Sequence, residues 1–130
     1  MMNLQELETV RYHNIPMVLI IINNQGYLSI KLTQNSFFKG NLVASEISSG
    51  VSIPSFAKLA DVFDFNYTYI ESNKNIDLIL NKTLLNIIKP TIIEVFTDPN
   101  ELHEPKVIAK GIDSNGNIIP GELTNMNIIL

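Results

Sequence analysis

The chain has 130 residues, 45% of them hydrophobic, a length that builds one hydrophobic core and not two. Nine Lys and Arg stand against 13 Asp and Glu, scattered along the chain, which excludes the basic stripe of a nucleic-acid binder. No apolar run approaches the roughly 20 residues of a membrane helix, the acidic start is unlike a signal peptide, and cysteine is absent, so the expected setting is cytoplasmic, with neither membrane nor disulfide.

Residues 3–14, NLQELETVRYHN, space Leu4, Leu7 and Val10 for an amphipathic helix, with Asn3 as N-cap and Glu6 completing a capping box. Pro16 ends it and opens MVLIII, an apolar run rich in β-branched residues that suits a strand covered on both faces, hence a parallel sheet between helices. Gly26 to Phe38 reads as a second helix, and 39–53 as a long Gly- and Ser-bearing loop. Pro54 suits the first turn of a helix, PSFAKLADVFD, with Phe56, Leu59, Ala60 and Phe63 on one face. NYTYIE is a short strand, Asn75 caps a helix running to Ile88, and TIIEVFT, 91–97, is the last strand.

This alternation predicts an α/β fold of three layers, αβα, around a mostly parallel sheet over residues 1–97. Residues 98–130 read as an extended C-terminal tail in which DSNGNI is a tight turn. The leading helix lacks the strand that strict alternation puts before it, so a truncated domain is expected. A sheet edge and an apolar face left open in this way favour self-association.

In open α/β sheets, ligands sit at the carboxyl ends of the strands, and Asn23, Asn24, Gln25 and Gly26 follow MVLIII at that edge. An Asn oxygen and a carbonyl approached past a Gly suit a hard cation such as Mg²⁺, and the next helix start suits a phosphate. The same four residues also make an ordinary turn.

The segment MNLQELETVRYHNIPMVLIIINNQGY, with SFAKLADVFDFNY and PTIIEVFTDPNE, resembles the cofactor-binding domain of thiamine diphosphate-dependent enzymes, in the acetolactate synthase-like branch. The tail EPKVIAKGIDSNGNIIPGELTNMNIIL is similar to the C-terminal segment of carboligase-like members. The resemblance implies that the Asn24 side chain and the Gly26 carbonyl ligate the Mg²⁺ that grips the cofactor's diphosphate. It implies further that Asn23 shapes the turn, and that Tyr27 and Leu28 lie near the diphosphate or the substrate channel. Two departures accompany it. The family's Gly-Asp-Gly element, source of the metal's carboxylate, is missing, and its activating Glu belongs to a pyrimidine-binding domain of the same or another subunit. The implied function is therefore part of a carboligase or lyase acting on a 2-oxo acid, inactive alone. Ile30 stands where pyruvate decarboxylase-like members carry Glu, and Thr33 where acetolactate synthases commonly carry Trp, which points to a different acceptor pocket. The alternative is a non-catalytic α/β interaction or regulatory domain without the cofactor. A phospho-acceptor receiver domain would need acidic residues at the strand ends, and IIINNQG has none.

Other candidates carry less. His13 and His103 have no second ligand at metal spacing. Asp98 follows a strand end but also opens a turn, DPN. Glu94, between Ile93 and Val95, reads equally as facing a neighbouring domain or as solvated at an edge. Met126 and Leu130 could form an apolar lid over the site of a complete enzyme.

Overall fold

The computed structural model of the chain describes residues 3–85, 87–102, 104–107 and 109–127. Two units divide it, Met1–Asn100 and Glu101–Leu130.

In the first unit the apolar runs become a three-stranded parallel sheet, β1 (Val18–Asn23), β2 (Asn66–Ile70) and β3 (Thr91–Phe96), in the order β1-β3-β2. The chain passes from β1 to the far edge and then returns to the middle. Right-handed connections in opposite directions place the crossover helices on opposite faces. Accordingly, α1 (Glu6–Tyr12) and α3 (Phe56–Val62) enclose the core on one face. There Ala60, Phe65 and Ile92 are buried and Leu7, Val10, Leu19, Ile21, Phe56, Phe63 and Tyr67 pack around them. α4 (Ile76–Leu84) runs along the other face, lining a recess of about 430 Å³ with Asn66, Thr68 and Thr91. α2 (Leu28–Phe37) follows the carboxyl end of β1.

The α/β fold agrees with the sequence reading, but complete burial falls on a different strand. The run MVLIII was expected to be covered on both faces, yet β1 has a strand neighbour on one side only among the described residues, and Ile20 and Ile22 are 55% and 59% exposed. β3 takes the central position, and Ile92 and Ile93 are fully buried on its two faces.

Helix ends differ too. α1 starts at Glu6 with Gln5 as an N-cap that makes no side-chain bond. Asn3 lies at φ 69°, in a turn where its carbonyl accepts the Glu6 N–H, so the expected capping box does not form. Pro54 precedes the N-cap of α3 and does not enter its first turn; Ser55 is the cap, accepting the Lys58 N–H at 3.3 Å. α4 ends at Leu84, before Ile88, and Asn75 makes no capping bond. Leu84, Leu85 and Ile88 are exposed, so no packing surface rewards a further turn.

In the second unit β4 (Lys106–Val107) pairs antiparallel with β7 (Met126–Asn127), and β5 (Gly111–Ile112) with β6 (Ile118–Ile119). The turn DSNGN closes as its composition predicts: Asp113 Oδ1 accepts the N–H groups of Asn115 and Asn117, each at 2.8 Å, and Gly116 takes φ 85°. Those donors, Asn117 foremost, hold the Asp113 carboxyl below its ordinary range. Met126 is exposed, and His103 and Leu130 lie outside the described residues.

Candidate cofactor site at the β1 tip

Parallel strands align their carboxyl ends, and the ladder between β1 and β3 continues to the last residue, where the Thr97 N–H donates to the Asn23 carbonyl at 3.1 Å. Beyond it the chain reverses in two consecutive Asx turns. Asn23 Oδ1 accepts the Gln25 N–H at 3.0 Å, and Asn24 Oδ1 accepts the Gly26 N–H at 3.3 Å. Gln25 sits in the left-handed region at φ 60°, which the two side-chain bonds help to hold. Gly26 is required by space, not by its backbone angle: a Cβ there would lie 2.4 Å from the Ser45 carbonyl oxygen, and the Tyr27 N–H donates to that same oxygen at 2.8 Å.

The turn reading of NNQG is therefore realised in the structure. It coexists with a ligand reading, because a carboxamide oxygen has a second lone pair and, among the described residues, the Gly26 carbonyl accepts no hydrogen bond. Asn24 and Gly26 are half-buried, Tyr27 is 56% exposed, and Leu28 is 7% exposed. α2 starts without a side-chain cap and without an acid in its first turn, so its N–H groups and positive dipole end stay open to an anion.

Beside the tip is a recess of about 450 Å³ lined by Gln25, Lys31, Glu46, Ser48 and Asn100, among others. Lys31, from α2, pairs with Glu46 at 2.7 Å and donates to Asn100 Oδ1 at 2.8 Å. It thereby ties the 44–50 loop to the segment after β3. The Lys31 ammonium, and after it the Ser48 hydroxyl, keep the Glu46 carboxyl below its ordinary range. Asp98 forms a turn of its own, accepting the Asn100 N–H at 2.8 Å. His13 caps the end of α1, ahead of the amino end of β1, and its ring meets Tyr12 edge-on.

Two residues at this end escaped the sequence reading. Glu94, given above as facing a neighbouring domain or solvated at an edge, is 5% exposed on the central strand. Its Oε1 accepts from Asn23 Nδ2 at 2.5 Å and its Oε2 from the Tyr67 hydroxyl at 2.6 Å. The sheet register explains the grouping, since Ile21 lies beside Glu94, and Asn23, Glu94 and Tyr67 all have the strand parity of the core face. Ser45 is fully buried and its hydroxyl has no partner among the described residues. A serine in SEISSG gave no sign of that.

A divalent cation here would find two neutral oxygens, Asn24 Oδ1 and the Gly26 carbonyl. No group of three or more His, Asp or Glu side chains placed to hold a metal occurs among the described residues. Mg²⁺ takes about six oxygens and usually one or two carboxylates. Two neutral oxygens are the kind of donor such a shell uses, and its carboxylate would have to come from elsewhere.

The family described as "Thiamine pyrophosphate enzyme, C-terminal TPP binding domain" matches residues 1–95. The acetolactate synthase large subunit of Porphyra purpurea is 27% identical over 106 residues, 82% of this chain and 18% of that protein. The probable acetolactate synthase large subunit of Methanococcus aeolicus is 34% identical over 100 residues, 77% of this chain and 16% of its own. The acetolactate synthase isozyme 2 large subunit of Escherichia coli (strain K12) is 28% identical over 101 residues, 78% and 18% respectively. The chain thus spans less than a fifth of the length of these relatives. With that match covering the β1 tip and the parallel sheet as far as Val95, the chain belongs to the family of thiamine pyrophosphate enzyme C-terminal TPP-binding domains.

Proposed function

We propose that the chain carries the diphosphate-facing and Mg²⁺-facing part of a thiamine diphosphate site, in an acetolactate synthase-like carboligase or lyase that acts on a 2-oxo acid. The observation that carries this reading is the tip itself. One double turn carries Asn24 Oδ1 and the Gly26 carbonyl, which accepts no hydrogen bond among the described residues, next to the uncapped start of α2, groups that suit a cation and an anion. When bound, thiamine diphosphate supplies the electron sink for decarboxylation. The protein's part would be to anchor it, with the exposed Tyr27 available to the diphosphate and the buried Leu28 fixing the helix start. The missing carboxylate ligand and the activating acid are left to other segments, among them a pyrimidine-binding domain of the same or another subunit. The chain alone is then expected not to turn over substrate. Among the described residues β1 has a strand on one side only, with Ile20 and Ile22 exposed, and a second copy covering that edge is the homo-oligomer expected.

Calorimetric titration of the full chain with thiamine diphosphate and Mg²⁺ tests this. The expected outcome is a metal-dependent heat of binding that Asn24→Ala reduces at least about tenfold in affinity, the order of one lost charge-assisted contact. A second reading, a non-catalytic α/β interaction or regulatory domain, is favoured by the lack of an acid cluster at the tip among the described residues and by the Ser45 contact that explains Gly26 without a ligand. Absence of heat would select it.

A further inference from the structure

We infer that Glu94 is the positioning residue of the β1 tip: its carboxylate orients the Asn23 carboxamide, and through it the turn that presents Asn24 and Gly26. The inference rests on the function proposed above and adds to it a residue on a neighbouring strand.

An ionised carboxylate only accepts hydrogen bonds, so the Asn23 NH₂ must face Glu94, and Oδ1 is left facing the Gln25 N–H. That fixes which way round the amide sits. Glu94 is itself held on both sides. The central strand gives it a buried place, and the Tyr67 hydroxyl occupies its other oxygen, so it cannot swing away from Asn23 without leaving a buried acceptor unpaired. Gln25, next in the chain, has a left-handed φ that a non-glycine residue adopts at some cost, and the Asn23 bond to its N–H offsets that cost. Without the Glu94 anchor, the Asn23 amide is free to rotate, the first Asx turn loses its acceptor, and the second turn, with Asn24 Oδ1, loses its fixed start. Glu94 touches neither cation nor cofactor in this account.

The test uses the full chain with ¹⁵N labelling. Glu94→Gln keeps the shape and removes the charge. The new amide can satisfy Tyr67 with its oxygen, but it can also flip, donating its NH₂ to the Tyr67 hydroxyl and keeping its oxygen toward Asn23. Glu94→Leu, which offers neither partner an acceptor, is therefore the decisive single variant. Its expected result is loss of the distinct Asn23 side-chain NH₂ resonances and about tenfold faster hydrogen exchange at Gln25, with exchange at Ile92 and Ile93 unchanged. Affinity for thiamine diphosphate with Mg²⁺ should fall by about tenfold. The double variant Asn23→Asp/Glu94→Gln reverses the polarity of the bond while retaining an acceptor for the Gln25 N–H, and should restore both exchange protection and most of the affinity. General destabilisation would not be rescued in this way. Should the single variant leave Gln25 exchange unchanged, or should the turn loosen while affinity holds, the inference is overturned. A wild-type chain that binds no cofactor overturns the function proposed above instead, and with it the role assigned to Glu94; binding that is insensitive to Glu94→Leu overturns only the latter.

Discussion

β1 and β3 run side by side in register, and their compositions misstate their positions. β1, VLIIIN, is the most apolar strand of the three-stranded sheet, yet among the described residues it stands at an edge with alternate isoleucines more than half exposed. β3, TIIEVF, carries an acid and is buried from Thr91 to Glu94. A strand's hydrophobicity reports how much burial it tolerates, whereas sheet order decides how much it receives. In β3 the acid is admissible because Asn23 and Tyr67, from the strands on either side, supply its donors.

The sharpest way to break this comparison is to truncate one isoleucine in each strand. Ile92→Ala removes a fully buried side chain from the core cluster and should cost about 3 to 4 kcal/mol in urea unfolding. Ile20→Ala, on the open face of β1, should cost less than about 1 kcal/mol. Equal losses would mean that β1 is covered in solution, by a second copy or another surface.

The contrast reverses at the strand tips, where the exposed strand leads into a close approach of backbone to backbone. Gly26→Ala places a methyl group against the Ser45 carbonyl at a distance no Cβ tolerates, and backbone must shift to make room. The expected loss is about 2 kcal/mol of stability, together with weaker cofactor binding in the titration described above. A variant as stable as the wild type would show that the 44–50 loop yields easily, and that the glycine has a reason other than its neighbour.

These positions also mark what the amino-acid order discloses. The strands were legible because unbroken β-branched runs have few other uses, and NNQG was legible because asparagine and glycine beyond a strand end signal both a turn and a ligand edge. β1 was read as covered on both faces, whereas among the described residues it has one strand neighbour, and a run of isoleucines is the same string at an edge or in the middle. Glu94 was singled out, but its burial and partners were missed for a related reason. A single acid alternating with apolar residues looks like a solvent-facing position, and only the register of three strands separated by many residues reveals Asn23 and Tyr67 beside it. Asn3 and Asn75 were credited with capping bonds that local turns supplanted, because a cap depends on the backbone angle of the residue before the helix as well as on its side chain.

Tyr67 gives the smallest and most specific test, because it ties β2 to the acid of β3 while β1 supplies the other donor. Burial, and next the bond to Glu94, push its hydroxyl from an ordinary value of 10 up to about 12. Folding therefore favours the protonated form, and between pH 10 and about 12 the unfolded chain loses this proton before the folded chain does. The tyrosine's contribution is complete below pH 10 and declines as pH rises through that interval. Tyr67→Phe should cost about 1 kcal/mol at neutral pH through the lost hydrogen bond. The stability difference between wild type and variant should stay constant up to pH 10 and shrink above it. A difference that holds constant across the whole interval would show that the hydroxyl does not donate to Glu94. Asn23 would then remain as the one side-chain donor, among the described residues, to the acid in the central strand.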